Sequence, residues 1–577
     1  MKINPFFVVS QQTINVAGIF LVLVIIANLF TVCFITQEHY IYYWDWAGYW
    51  LKYMDLSTSL SHQPMNTLDS LINSVRNDDY NPLPVLPLVP FAWLFGTSRL
   101  TYILAITNVA LLPSVFIITV LAQRVLSQQF SRSSFILIST SVLMLHALWV
   151  PVLRGMPDVL GILVIGNILL RLFAQPFAEQ KLSHLVTIGL LLCLLVLIRR
   201  WYAFWVVSFF PALAVVQCLD IYQHHGVVWR QYINTIRNII IIGMTFSIAL
   251  FTIATPLMLR ILHTDYADIY SAYKSSHSLL ESAEKLIPYF GWGVIICGLS
   301  GLVWLVTRKD TRVVGSFLIT QLFIVFGLFL RTQDFGMQHY YLLMPAIGLG
   351  IAVMLIGLWT QINNKLWRLI SVGFVFVVLI TSFITAFIPK ASNVSNILGS
   401  FVPQARFYPF IRHDMDELAR LLNHLNKLEA RQQGDIYMLA SSFTLNSEIL
   451  DVACRFSTQQ WDFCDHLLNT NDVDKRDGFP RQFLHAHYLV VASPVQYHLR
   501  AEDQRVVGVL LREVMKKQGI GSSFQRLPDE FRLDNEITVW IYEKVKPFDS
   551  ADLDALANEF VGYYPHLRHV FSITDEK

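Results

Sequence analysis

The chain has 577 residues, 54% of them hydrophobic and only 15% charged, with a formal net charge of +2. With a positive mean hydropathy, this excludes an intrinsically disordered chain and points to an integral membrane protein. The near balance of charge gives no reason to propose a nucleic-acid partner. Charged residues crowd into the last third, so apolar runs end near Ile388 and a polar domain follows.

The first apolar run, about 14–35, is longer than the h-region of a signal peptide. Only Lys2 precedes it and no small-x-small site follows, so it reads as a retained span. A polar interval follows, 36–90. It holds Tyr42-Tyr43-Trp44-Asp45-Trp46 and then Asp78-Asp79-Tyr80-Asn81-Pro82. Pro84 to Phe95 is apolar but carries Pro84, Pro87 and Pro90, which remove backbone donors that lipid cannot replace. It reads as an interfacial or re-entrant piece. Further spans are expected at 100–122, 134–152, 158–174, 184–199, 201–219, 238–259, 288–306, 313–330, 339–359 and 367–388, eleven in all with the first. Two adjacent charges, Arg199-Arg200, break the run 185–216 into two spans at a tight turn.

Parity assigns the loops to two sides. Arg124, Arg132, Arg171, Arg230, Arg308 and Lys365 fall in short loops on the side of the N-terminus, the pattern of a cytoplasmic face. The other side receives the Asp45 interval and the whole tail. The tail reads as α/β: a helical period at 414–428, strands at 435–440, 487–492 and 537–542. The expected domains are therefore a transmembrane domain, 1–390, with its first outer loop at 36–90, and an extracytoplasmic α/β domain, 391–577. The overall class is an α-helical polytopic membrane protein with a C-terminal α/β domain.

Five polar clusters meet the outer face. They are Asp45 with its aromatics, Asp78-Asp79-Tyr80, Arg154 with Asp158, Arg199-Arg200-Trp201-Tyr202, and Arg331 to Asp334 with His339-Tyr340-Tyr341. Acids accept a proton from an acceptor hydroxyl, arginines hold a phosphate by paired hydrogen bonds, and aromatics stack on sugar rings. Each cluster also has a plainer reading. Asp45 would be an interfacial acid, and Arg154 with Asp158 a local ion pair capping a helix. Arg199-Arg200 would anchor a turn, His339 and Tyr340 would sit in an interface belt, and Asp78 and Asp79 would cap a helix or line a solvated loop.

The order of these elements resembles the C-type (GT-C) polytopic glycosyltransferases, such as protein O-mannosyltransferases and the aminoarabinose transferases of lipid A. The resemblance rests on Asp45 in the first outer loop, Asn81-Pro82-Leu83-Pro84 running to Phe95-Gly96, Arg154-Gly155-Met156-Pro157-Asp158, Arg199-Arg200, and His339-Tyr340-Tyr341-Leu342-Leu343-Met344-Pro345. It implies an inverting transfer of a sugar from a polyprenyl-phosphate donor to an extracytoplasmic glycan, lipid or protein acceptor. Asp45 would be the base, and Asp78, Asp79, Arg154, Asp158, Arg199, Arg200, Arg331, His339 and Tyr340 would bind substrate. Family members often carry a second acid after the first; here Trp46 follows Asp45. The sequence thus requires no cofactor, and a divalent metal is compatible but unsupported. Rival classes are a transporter or flippase, and an O-antigen polymerase or ligase.

If the tail meets an oxidising compartment, Cys454 and Cys464 are spaced to close a short disulfide loop; otherwise they remain two thiols. The expected location is a bacterial-type inner membrane, with site and tail outside the cytoplasm. Alkaline phosphatase fused after Lys390 is expected to be active and fused after Arg124 inactive. The reverse pair overturns this topology.

Overall fold

The computed structural model describes residues 11–126, 132–225, 229–276, 278–456 and 461–573; Lys2 lies outside them. The chain forms two compact units. Unit 1 is Met1–Glu38, Gly48–Thr264 and Ser276–Pro409, and unit 2 is His39–Ala47, Asp265–Ser275 and Phe410–Lys577.

Unit 1 is helical and makes this a polytopic membrane protein. Among the described residues, seven helices are long and apolar enough to cross a membrane, or nine when each of two bent pairs counts as one span. The expected eleven is reached when two shorter apolar helices are added. Helices do occupy 158–174 and 184–199, but Leu160–Leu172 has 13 residues and Leu182–Ile198 has 17. At about 1.5 Å per residue these cover about 20 and 26 Å, short of a hydrocarbon core of about 30 Å. Pro157 and Asp158 delay the start of the first, and Arg199, in an extended conformation, stops the second. The proline-rich piece is a 3₁₀ turn, Leu83–Leu88, running into a helix, Val89–Phe95, too short to span.

Breaks in the long helices have local causes. Leu279–Phe290 and Trp292–Thr307 meet at 109° around Gly291. Gly291 has φ +74°, and a Cβ there would lie 2.7–2.8 Å from the backbone of Phe401 and Val402, so only glycine fits. In Trp229–His263 the helix breaks at Ala254, two residues before Pro256. Gly301 lies so close to Gly350 that a Cβ would come within 1.8 Å of its carbonyl, the small-residue approach that membrane helices use.

Unit 2 is an α/β sandwich around a five-stranded sheet. The strands are β1 Ile436–Leu439, β2 Leu467–Leu468, β3 Tyr488–Ser493, β4 Phe524–Leu533 and β5 Ile537–Lys544, in the order β2-β1-β3-β5-β4. β1 is parallel to β2 and β3, and β5 is antiparallel to β3 and β4. Alternation along β1 and β3 fills two cores. Ile436, Met438, Tyr488 and Val490 pack with Leu418, Leu421 and Leu425 of helix Met415–Arg431. Tyr437, Leu439, Leu489 and Val491 pack with Val506, Val509 and Leu510 of helix Arg505–Lys516.

The unit boundaries differ from a single cut at 390. Residues 391–409 belong to unit 1, where Phe407 N–H donates to Ala386 (2.9 Å) and Gln404 N–H to Pro288 (2.7 Å). His39–Ala47 belongs to unit 2. There His39 N–H donates to the Phe410 carbonyl (2.9 Å), Arg412 N–H donates back to His39 (2.8 Å), and Tyr43 enters the core beside Leu418.

Cys454 and Cys464 form a disulfide with Cα atoms 6.1 Å apart, while Cys33, Cys193, Cys218 and Cys297 are thiols. Titration of the denatured, unreduced protein is therefore expected to find four reactive thiols, and six after reduction. Six thiols before reduction would exclude the bridge.

Candidate functional site

In unit 1 the central feature is a buried ion pair. Arg199 Nε donates to Asp158 Oδ1 at 2.6 Å, with side chains 3% and 1% exposed. The Arg199 guanidinium lies over the rings of Tyr80 (4.5 Å) and Tyr49 (4.9 Å). Tyr202 O–H donates to the Asp158 carbonyl (2.8 Å), so the turn after Arg199 is stitched to the turn that carries its counter-charge. Next to this pair the chemistry is more open. Arg200 Nη1 donates to Asp79, and Arg260 Nη1 reaches the other oxygen of Asp79 at 3.5 Å. Tyr80 lies 5.6 Å from the Arg200 guanidinium and is exposed.

Arg154 donates to Glu38 (2.8 Å) and to the Tyr408 carbonyl (2.7 Å) and is buried. Asp158 receives Arg199, forty-one positions away, and Glu38, which closes the first span, turns to Arg154. His339 is buried. Its Nδ1 accepts the Gly336 N–H (3.0 Å), and its ring meets Phe329 (4.6 Å) and the edge of Trp201 (5.4 Å). Tyr340 is buried against Phe290 and Tyr289. Arg331 and Asp78 are exposed, and Asp78 accepts from the Ser74 hydroxyl of its own helix end (2.5 Å). Asp334 holds Ser276 and Lys285.

Asp45 lies in unit 2. It is the first residue of helix Asp45–His62 and half-buried. Trp44 before it has φ +47°, and its N–H donates to the Glu448 carboxylate. The Trp44 ring lies against His498 (4.5 Å) and Phe443 (5.7 Å). His498 Nδ1 meets Ser441 Oγ (3.0 Å), which also donates to Asp472 (2.7 Å). Burial pushes the Glu448 carboxyl up to about 7; the Trp44 N–H opposes this, and the charges of Asp472 and Asp45 add to it. Burial also raises Asp472 and lowers His498 to about 4. Glu448 and Asp472 open onto a cavity of about 820 Å³ within unit 2.

Glu448, Asp472 and Glu38 escaped the sequence reading. None stands in a motif, and Trp44 is separated from Glu448 by 404 positions. Among the described residues, no group of three or more His, Cys, Asp or Glu side chains is placed to hold a metal ion.

No family model and no curated protein matches the chain. Among solved structures it is similar to ArnT from Cupriavidus metallidurans bound to undecaprenyl phosphate, at 12% identity and a TM-score of 0.48, covering 91% of this chain and 97% of that one. It is also similar to an Archaeoglobus fulgidus oligosaccharyltransferase, at 11% identity and a TM-score of 0.41, covering 82% of this chain and 69% of that one. Likeness at these values carries no argument about chemistry.

The Glu448 environment makes a pH-dependent prediction. An unfolded glutamate titrates near 4.3, and the folded one is held at about 7. Between those values the native state holds the extra proton. The stabilisation is complete below about pH 4 and is lost as pH rises through 7. Glu448→Gln is expected to flatten the fall in thermal unfolding temperature of the full chain over that window. Parallel curves for variant and wild type would contradict the assignment.

Proposed function

We propose that the chain is a membrane glycosyltransferase that moves a sugar from a polyprenyl-phosphate donor to an acceptor outside the cytoplasm, with unit 2 on that outer side of an inner membrane. The observation that carries the reading is the convergence of Arg200 and Arg260 on Asp79 beside Tyr80. These arginines are 13% and 43% exposed, whereas Arg199 is sealed against Asp158. Two partly exposed guanidinium groups at the ends of apolar helices suit a phosphate whose chain lies in lipid. Asp79 keeps them together and yields one or both to the donor.

In the reaction the acceptor hydroxyl attacks the anomeric carbon as its proton passes to the Asp45 carboxylate. The bond from that carbon to the phosphate oxygen breaks, and polyprenyl phosphate leaves with its negative charge held by Arg200 and Arg260. Attack opposite the leaving group inverts the anomeric carbon. Arg154 with Glu38, and Arg199 with Asp158, hold the backbone that carries these groups. His339 and Tyr340 pack the walls beneath them.

Two variants test this. Arg200→Gln/Arg260→Gln is expected to weaken binding of a polyprenyl phosphate by the purified chain at least about tenfold, given the strength of charged hydrogen bonds. Asp45→Asn is expected to keep that binding and lower transfer about 10²-fold, the low end for losing a positioned base. Transfer is read as the mass change of cell-envelope glycans in cells carrying each form. Unchanged donor affinity in the first variant, or near wild-type transfer in the second, overturns the corresponding assignment.

A further inference from the structure

Unit 2 contains a cavity that the donor chemistry does not use. It has a volume of about 820 Å³, inside the range of about 300–1,000 Å³ usual for small-molecule sites. Its walls are mostly polar. Glu448, Asn469, Asp472, Arg476, Arg481 and Gln482 face it, over an apolar patch that includes Phe479. The wall combines carboxylate, carboxamide and guanidinium groups, so it offers both hydrogen-bond donors and acceptors. That is the complement of a ring bearing adjacent hydroxyls, each of which both donates and accepts.

The charges argue for a neutral ligand. Arg476 is taken by Asp477, with Nε to Oδ1 at 2.6 Å. Glu448 and Asp472 then face Arg481, so an incoming phosphate would meet two carboxyl groups for one guanidinium. Meanwhile the Asn469 and Arg481 side chains are exposed and make no hydrogen bond or ion pair among the described residues. The Gln482 carbonyl is occupied by the Asn469 backbone N–H at 2.6 Å, which fixes the direction of its amide.

The cavity is also wired to Asp45. Glu448 is part of its wall, and the same carboxylate accepts the N–H of Trp44, the residue before Asp45. Asp45 lies near enough for its charge to act on Glu448. We propose that this cavity binds a neutral saccharide and is the acceptor subsite, so that the acceptor is a glycan or the sugar portion of a glycolipid. Binding of a saccharide stands on the cavity alone; its role as acceptor rests on the glycosyltransferase reading.

The test uses the full chain in lipid nanodiscs. Saturation-transfer NMR is recorded with neutral oligosaccharides of hexose and N-acetylhexosamine, with a phosphorylated oligosaccharide, and with a short peptide. Saturable binding of a neutral oligosaccharide without donor is expected. Asn469→Ala/Arg481→Ala, and separately Gln482→Ala, should weaken it up to about tenfold by losing one or two hydrogen bonds. In transfer assays the same variants should raise the acceptor KM and leave the donor KM unchanged. Absent saccharide binding, binding of only the peptide or the phosphorylated glycan, or neutral binding indifferent to both substitutions overturns the proposal. Saccharide binding that the variants weaken, in a chain that neither binds polyprenyl phosphate nor transfers sugar, keeps the saccharide site and removes its role as acceptor subsite together with the glycosyltransferase reading.

Discussion

A guanidinium group withdrawn from water must have a counter-charge, and in unit 1 this requirement fixes the geometry around Arg199. Its helix is apolar for 17 residues and ends where the side chain finds Asp158. Removing one member of such a pair typically costs about 3–5 kcal/mol, because the other is left buried and uncompensated. The pair therefore ties the turn at Pro157–Val159 to the turn at Arg200–Tyr202. Tyr202 adds a second link through the Asp158 carbonyl, and the Tyr49 and Tyr80 rings cover the guanidinium. Once Arg199 is sealed in this way, its neighbour Arg200 is turned toward Asp79 and the more exposed Arg260.

Much of the architecture was legible because its signals are local. Apolar length marked a helix at each expected span, and the alternation 436–439 and 488–493 marked the central strands. Helix ends were less legible, because an apolar run does not reveal where proline or a buried charge will end its helix. Strand β2 escaped notice because it has two residues, and β4 because it is an edge strand with exposed charges and Pro528. In the site, residue types were legible and partners were not. Arg154 and Asp158 are near in sequence but bind Glu38 and Arg199, 116 and 41 positions away.

The first polar interval shows the same limit at larger scale. Read as a chain, 36–90 is one loop. In the structure its aromatic stretch, 39–47, is part of the α/β unit, while 48–90 is part of the helical one. The reason lies in residues that sequence cannot connect: Tyr43 packs in a core with the 415–431 helix, and Trp44 is held by Glu448 with its ring tilted against His498. Aromatic density that suggested a membrane interface is, for Tyr43 and Trp44, the packing of a domain begun some 370 residues later.

This division also separates two kinds of carboxylate. Glu38, Asp79 and Asp158 already receive hydrogen bonds from guanidinium groups, and that occupation competes with taking a proton from a substrate hydroxyl. They are suited to hold arginines in place. Asp45 is the first residue of its helix, and its charge acts on Glu448. Arginines favour keeping a phosphate. A transfer from a lipid phosphate needs both functions at once, and they oppose each other if mixed. In the proposed transfer the two functions fall to separate residues, the phosphate to Arg200 and Arg260 and the proton to Asp45.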